Sequence, residues 1–422
     1  MRILIINQFF WPDVAPTGQY LCDLVRHLDA KGHDITVVCS KGSYASTEED
    51  VEDPPPAKII QVPGMPYKRG ALARLFSYTA FFTGALWHEL RVPRPDMVIT
   101  MTTPPMLAVA GTIMKALRGT RHFIWEMDVY PDLLVTLGAL PERGLVTRIL
   151  SWIQNYARRH SDGIIALGPC MRTRLLAGGT PQHLVHVAEN WADGHSISPG
   201  PNRRSDPLKV FYSGNLGVAH EVRTIADAIR RLRNDSRFMF TFAGGGVGRS
   251  QLEQICANED IQNVRFLPYA RREQMTEHLA QADIGLVTEL AACTGTVVPS
   301  KTYGLMAAGR PILFVGPKEA TPGLLIERFR CGWQIDPGDV QRFTGLLEWL
   351  SVRRDEAWVR GDRARAAFDR HYDLPQGVSR VAAALGLGEP IEASVWETTV
   401  EVGDRLEVTP AEPRAVAAGG GD

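Results

Sequence analysis

The sequence predicts an α/β protein built from two parallel-sheet domains of similar size. Three observations carry this expectation: short apolar runs alternate with helical segments, a polar Gly/Pro/Ser-rich stretch interrupts them, and the same alternation then restarts. Apolar runs without a clean in/out period belong to strands buried on both faces, as in a parallel sheet covered by helices. A length of 422 residues fits two or three domains at about 100–200 residues each.

The first run, RILIINQ (2–8), leads through FFWPDVAPTG into a helix expected from about Gln19 to Ala30, which Gly32 ends. DITVVCS (34–40), KIIQV (58–62), DMVITM (96–101), RHFIWEMD (121–128) and DGIIALG (162–168) supply further strands, with helices between them. DGHSISPGPNRRSDP (193–207) has the composition of a linker. After it come KVFYSGN (209–215), FMFTFAGGG (238–246), VRFLP (264–268), DIGLVTE (283–289), PILFVG (311–316) and CGWQID (331–336), then a helix from about Asp339. The expected organisation is a first domain at 1–192, a linker at 193–208, a second domain at 209–387 whose last helix is free to return to the first, and a disordered tail at 388–422. Ligands of such sheets bind beyond the carboxyl ends of the strands, so two facing sheets define a cleft.

Composition narrows the class. Hydrophobic residues at 45% and charged residues at 22% are ordinary for a globular protein. A net charge of −1 leaves no basic field for nucleic acid. The six cysteines are scattered, without C-x-x-C or a His/Cys cluster, which points to a reducing compartment and away from structural zinc. Met1 runs directly into RILII without a signal-peptide pattern, so a cytoplasmic location is expected. LFSYTAFFTGALW (75–87) is apolar throughout and flanked by Lys68, Arg69, Arg74, Arg91 and Arg94. It is shorter than the about 20 residues a membrane span needs. Both a core helix and an interfacial helix contacting an anionic membrane through residues 68–94 fit it.

Four motifs bear on chemistry. GGGVGR (244–249) fails as a dinucleotide fingerprint because Arg249 stands at its third glycine, and a tight strand-to-helix turn suffices. FYSGNLG (211–217) brackets Asn215 with Gly214 and Gly217, allowing either a close phosphate or a plain turn. WEMDVYPD (125–132) sets Glu126 and Asp128 at a strand end, where a carboxylate faces the cleft or caps the next helix. VPSKTYGLMAAGRP (298–311) places Ser300 and Lys301 at the start of a short helix, as a cap with a solvated lysine or as an anion site. No two aspartates stand two apart, so the D-x-D that holds a divalent metal in many sugar-nucleotide enzymes is missing; no metal or other cofactor is expected.

Together with NQFFWPDVAPTG, KGHDITVV (31–38), MTTPPML (101–107), AENWAD (188–193) and ADIGLV (282–287), these stretches resemble the retaining glycosyltransferases of family 4, in the branch that builds bacterial surface polysaccharides. The resemblance covers about residues 1–385. It implies a GT-B fold, two Rossmann-like domains facing across a cleft, with the acceptor mainly on the first and the sugar nucleotide mainly on the second. It implies metal-independent transfer with retention, from a UDP-sugar to a lipid-linked or polysaccharide acceptor, at the inner face of the plasma membrane. By the same resemblance, Ser300, Lys301 and Thr302 meet the donor diphosphate, and Gly214, Asn215 and Gly217 lie under the phosphates and sugar. Thr17 and Gly18 form a first-domain loop over the donor, Tyr269 follows the strand whose loop reads the base, and Asp128 lies near the reacting carbon, making Asp128 and Lys301 the catalytic candidates. The family's E-x7-E pattern is absent: Thr296 and Gly304 hold its two places, and Glu289 is the substitute candidate. Two alternatives remain on the residues alone, a non-catalytic nucleotide- or polysaccharide-binding partner and a non-hydrolysing sugar-nucleotide 2-epimerase using Asp128, Glu126 and His220.

Overall fold

A computed structural model of the chain describes residues 1–13, 15–41, 53–62, 71–201, 206–269, 272–389 and 396. Lys68 and Arg69, and the tail apart from residues 388, 389 and 396, lie outside them. The first sheet contains β1 (Arg2–Ile6), β2 (Asp34–Ser40), β3 (Lys58–Val62), β4 (Met97–Thr100), β5 (Arg121–Glu126), β6 (Gly163–Ala166) and β7 (Val185–Val187), in the order β3-β2-β1-β4-β5-β6-β7. The second contains β8 (Leu208–Asn215), β9 (Phe238–Gly245), β10 (Val264–Leu267), β11 (Ile284–Thr288), β12 (Ile312–Val315) and β13 (Gly332–Ile335), in the order β10-β9-β8-β11-β12-β13. All pairings between these strands are parallel. Strands such as β1, β4, β6 and β12 are apolar almost throughout because helices cover both faces. Strand order reverses between β1 and β4 and between β8 and β11, and those two reversals open the crevices where ligands bind in open α/β sheets.

The chain crosses back at its end. Helix Leu374–Ala384 packs on helix Pro16–Ala30, and its Val378, Val381 and Ala382 join the core of the first sheet. Gly377 makes this possible, since a Cβ there would meet the Trp191 ring at 2.6 Å. Trp191 also stacks on Trp125 at 6.1 Å and donates its indole N–H to Asp23 at 2.9 Å.

Two expectations need adjustment. The first helix begins at Pro16 rather than near Gln19, because proline is well suited to a first helical position. Thr17 and Gly18 are therefore in its first turn and not in the preceding loop. The apolar segment 75–87 lies within helix Ala71–Glu89, where Phe81 and Ala85 are fully buried against Val62, Val98 and Met114. Burying such a Phe contributes about 2–3 kcal/mol, enough to account for that side of the segment as core. Trp87 stays exposed on the same helix. Among the described residues no helix is long and apolar enough to cross a membrane.

Candidate active site

The crevice of the second sheet is built from glycine and one lysine. At the ends of β8 and β9, Gly214 pairs with Gly244 and Asn215 with Gly245. Gly214 has φ +103° and Gly244 φ +125°, a region that side chains rarely adopt. A Cβ on Gly244 would press on the Gly214 backbone, whereas at Gly214 it is the positive φ that disfavours a side chain. Gly217 lies beside the Asn215 amide, which a Cβ there would approach at 3.2 Å. Arg249 is absorbed into this scaffold: its guanidinium donates to the carbonyls of Gly244 and, at 2.8 Å, Leu267. Tyr269 is exposed, with its ring against the place a Gly245 side chain would fill.

Lys301 opens helix Lys301–Ala307, and its Cε sits 3.8 Å from the Cβ position of Gly214. Its ammonium donates to the Tyr212 hydroxyl at 2.8 Å and to His220 Nε2 at 3.0 Å, and stands 4.6 Å from the Tyr212 ring centre. Among the described residues no carboxylate pairs with it. Burial pulls the Lys301 ammonium down to about 7. His220 is lowered to about 3, first by burial and then by the Lys301 charge, so it is neutral and accepts at Nε2. Its Nδ1 faces the Gly217 carbonyl at 3.3 Å. Tyr212 in turn donates to the Asn215 carbonyl at 3.0 Å, tying the lysine to the glycine loop. No sequence pattern singled out Tyr212, and His220 entered only as an epimerase candidate. The only signal was position: Tyr212 lies within the FYSGNLG stretch and His220 three residues beyond it.

Ser300 takes no capping role: it has helical φ and ψ, and its side chain makes no cap hydrogen bond. Its side chain lies beside Tyr20 of helix Pro16–Ala30, in the other domain. Tyr20 donates to the Trp191 carbonyl at 3.4 Å. Thr302 is buried and its hydroxyl donates to the Pro299 carbonyl at 2.9 Å, so it braces the turn rather than facing the crevice. Thr17 lies half-buried at the rim, while Gly18 is buried with its Cβ position 3.4 Å from the carbonyls of Phe9 and Asp13.

The first domain contributes acids. Glu126 is fully buried and ion-paired with Arg158 at 2.7 Å, which also donates to the Tyr130 carbonyl at 3.1 Å. That pairing makes Glu126 a support for the β5 end. Asp128, two residues on, has its backbone N–H bonded to Thr102 Oγ1 at 3.1 Å, and no hydrogen bond to its carboxylate occurs among the described residues. Burial, and then the neighbouring Glu126 charge, push the Asp128 carboxyl up to about 6. The Val129 N–H donates to the Thr296 carbonyl at 2.9 Å, so this segment rests directly on the loop leading to Lys301.

Thr296 is buried, with its hydroxyl on the Cys293 carbonyl. Gly304 is half-buried, and a Cβ there would meet only Ile197, at 3.9 Å. Glu289, just beyond β11, is 1% exposed and pushed up to about 8 by burial, with the Thr294 hydroxyl partly offsetting this. Its charge also bears on Cys170 of the first domain, so it stands at the floor between the domains. A separate cavity of about 550 Å³ beside β13, lined by Trp333, Trp349 and Arg360, includes none of these residues.

Two family models match successive parts of the chain. The family model for a glycosyl transferase 4-like domain matches residues 17–191, and that for glycosyl transferases group 1 matches residues 195–365. The chain is 24% identical over 361 residues to WbjE of Pseudomonas aeruginosa, named as a glycosyltransferase, covering 82% of this chain and 88% of the relative. It is 22% identical over 406 residues to WcaI of Escherichia coli (strain K12), named as a colanic acid biosynthesis glycosyl transferase, covering 90% of this chain and 100% of the relative. Among solved structures, Anabaena HepE in complex with UDP superposes with a TM-score of 0.66 at 14% identity, over 92% of this chain and 100% of that one. WaaG, a glycosyltransferase involved in lipopolysaccharide biosynthesis, gives 0.66 at 15% identity, over 91% and 99%. These structural likenesses show a shared fold.

Proposed function

The chain belongs to the family 4 glycosyltransferases of surface polysaccharide biosynthesis, with the GT-B fold, and from this premise we propose that it moves a sugar from a UDP-sugar to a lipid-linked or polysaccharide acceptor, with retention and without a metal ion. One observation carries the reading. Lys301 is a buried ammonium with no carboxylate partner among the described residues, beside a loop whose glycines present bare backbone to an approaching anion. A cation in that condition is stabilised by an arriving anion, and the benefit grows as charge builds on the leaving phosphate.

In this mechanism the acceptor oxygen attacks the anomeric carbon from the face that the diphosphate leaves. The C–O bond to the nucleotide breaks as the new C–O bond forms, and the acceptor proton passes to a phosphate oxygen. Lys301 and the backbone N–H groups of the Gly214–Gly217 loop hold the developing negative charge. Asp128 stabilises positive charge at the reacting carbon from the first domain. Tyr269 stacks beside the base, Thr17 and Gly18 border the donor, and the Ser300–Tyr20 contact sets the closure of the two domains. The UDP bound to HepE supports the choice of base; a lipid-linked acceptor would set the reaction at the cytoplasmic face of a membrane.

Calorimetric titration with UDP, GDP and ADP in EDTA tests this. UDP should bind without metal, and Lys301→Ala should weaken binding and lower kcat/KM by about 10²–10³-fold. Binding of none of the three would shift the reading to a non-catalytic partner, which Thr296 and Gly304 at the glutamate positions favour.

A further inference from the structure

The cavity beside β13 has a lining that the transferase reading leaves unused. β13 is the edge of the second sheet and lies three strands from β8, about 14 Å to its side. A volume of about 550 Å³ falls within the range of about 300–1,000 Å³ usual for ligand sites. Two indoles line it, Trp333 half-buried and Trp349 40% exposed. Arg330, Arg342 and Arg360 join them, against one acid, Glu327. None of the three arginine side chains forms a salt bridge among the described residues. The Arg360 guanidinium stands 4.6 Å from the Trp333 ring centre, and its buried Nε has no hydrogen-bond partner among the described residues. Its Nη1 reaches the Arg330 and Gly332 carbonyls only at 3.5 and 3.4 Å.

Helix Val340–Val352 presents Arg342, Gly345, Leu346 and Trp349 to the cavity, at i, i+3, i+4 and i+7. Gly345 is the informative member. Glycine inside a helix is destabilising relative to alanine, yet a Cβ here would meet nothing within 4 Å, so no packing among the described residues requires it. It leaves a bare stretch of helix between Arg342 and Trp349, open to a flat ring. On the β13 side, Gln334 spends its amide N–H groups on the Gly316 carbonyl at 2.7 Å and Asp336 at 2.8 Å. Its carbonyl oxygen is left as an acceptor.

We propose that this cavity is a second carbohydrate site, which binds an anionic oligosaccharide such as a chain carrying uronate residues. Pyranose rings offer apolar C–H faces to the indoles and hydroxyls to Gln334. Their carboxylates suit the arginines, whose planar forks engage both oxygens at once. A nucleotide fits less well. Phosphates favour free N–H groups at a helix start, and here Asp339 already accepts from the Arg342 N–H at 2.9 Å. The purpose rests on the polysaccharide acceptor proposed above: a chain held here stays tethered while its end reaches the crevice, which raises the local acceptor concentration. The binding itself does not rest on it.

Calorimetric titration of the full chain with short oligogalacturonate, alginate and hyaluronan fragments tests the proposal, with maltohexaose as the neutral control and UDP run in parallel. At least one acidic oligosaccharide should bind, more tightly than maltohexaose and less tightly as salt is raised. Gly345→Leu fills the bare stretch and should weaken that binding about tenfold or more, with unchanged UDP affinity and a melting temperature no lower. Arg330→Gln with Arg342→Gln should remove the preference for acidic over neutral sugar, a loss of about tenfold. Binding of none of the acidic oligosaccharides overturns the proposal. So does binding that Gly345→Leu leaves unchanged, since the sugar would then sit elsewhere. Loss of UDP binding in Gly345→Leu also overturns it and gives the cavity to a nucleotide. Oligosaccharide binding without UDP binding upholds the second site and removes the transferase reading, whereas UDP binding alone does the reverse.

Discussion

The two sheet ends that face each other across the cleft are opposites. The second sheet offers a cation among glycines, Lys301 beside Gly214, with neutral His220 and Tyr212 as its only described polar partners. The first offers carboxylates, Asp128 and the paired Glu126, set on a strand end without glycine. Burial acts on both in the same sense, toward neutrality: it brings the lysine down to about 7 and the aspartate up to about 6. The difference teaches that burial leaves each charge under-compensated, so each favours an arriving group of opposite sign; in the function proposed above these are a diphosphate and an electron-poor sugar carbon.

The strongest way to break this arrangement is to remove its support. Arg158→Ala leaves Glu126 buried and unpaired, and should cost about 3–5 kcal/mol in urea unfolding. A loss under about 1 kcal/mol would mean that the pair does not hold the β5 end. Next comes Asp128 itself. Asp128→Asn should lower kcat about 10²-fold while leaving UDP affinity unchanged. With the carboxyl raised to about 6, the charged form that the reaction needs is lost as pH falls through that value. The unmodified enzyme should therefore lose activity below about pH 6, and the Asn variant should lack that acid limb.

Lys301 sharpens the contrast from the basic side. Its free-state value of about 7 must rise when a diphosphate binds, so binding takes up a proton near neutral pH. UDP affinity should fall as pH rises above about 7, and calorimetry in buffers of different ionisation heat should show the uptake. A flat profile would mean that the lysine is not at the phosphates. The smallest effect expected is a gain. Gly304→Glu enters a place where a Cβ meets only Ile197, and should tighten UDP binding by about threefold to tenfold through one added hydrogen bond. Unchanged affinity would show that this position does not face the nucleotide.

Much of this was legible in advance, for reasons tied to particular residues. Apolar runs such as RILII and ILFV can only be covered strands, and they became β1 and β12. GGGVGR was read as a turn, and Arg249 now brackets that turn by holding the Gly244 and Leu267 carbonyls. What went unseen involved partners far apart in the chain: Tyr212 and His220 are 89 and 81 residues from Lys301, and Tyr20 reaches Ser300 from the other domain. For Ser300 the residue type alone allows a cap or an anion site, and the cap is the reading that the helical backbone and the missing cap hydrogen bond remove.

The sequence by itself determined the alternation of elements, the family, and the lysine and glycines that meet at one crevice. These follow from local periodicity and from residue types whose chemistry travels with short motifs. Only the tertiary structure decided which side of a helix is covered. The spacing of Leu145, Ile149, Trp152 and Tyr156 is that of an ordinary core-facing stripe, and the segment 75–87 is the more hydrophobic of the two. Yet the second buries Phe81 and Ala85 while the first turns its stripe outward. Periodicity states which side chains share a face; what that face meets depends on Arg158 finding Glu126 beneath it, a contact 32 residues distant in the chain.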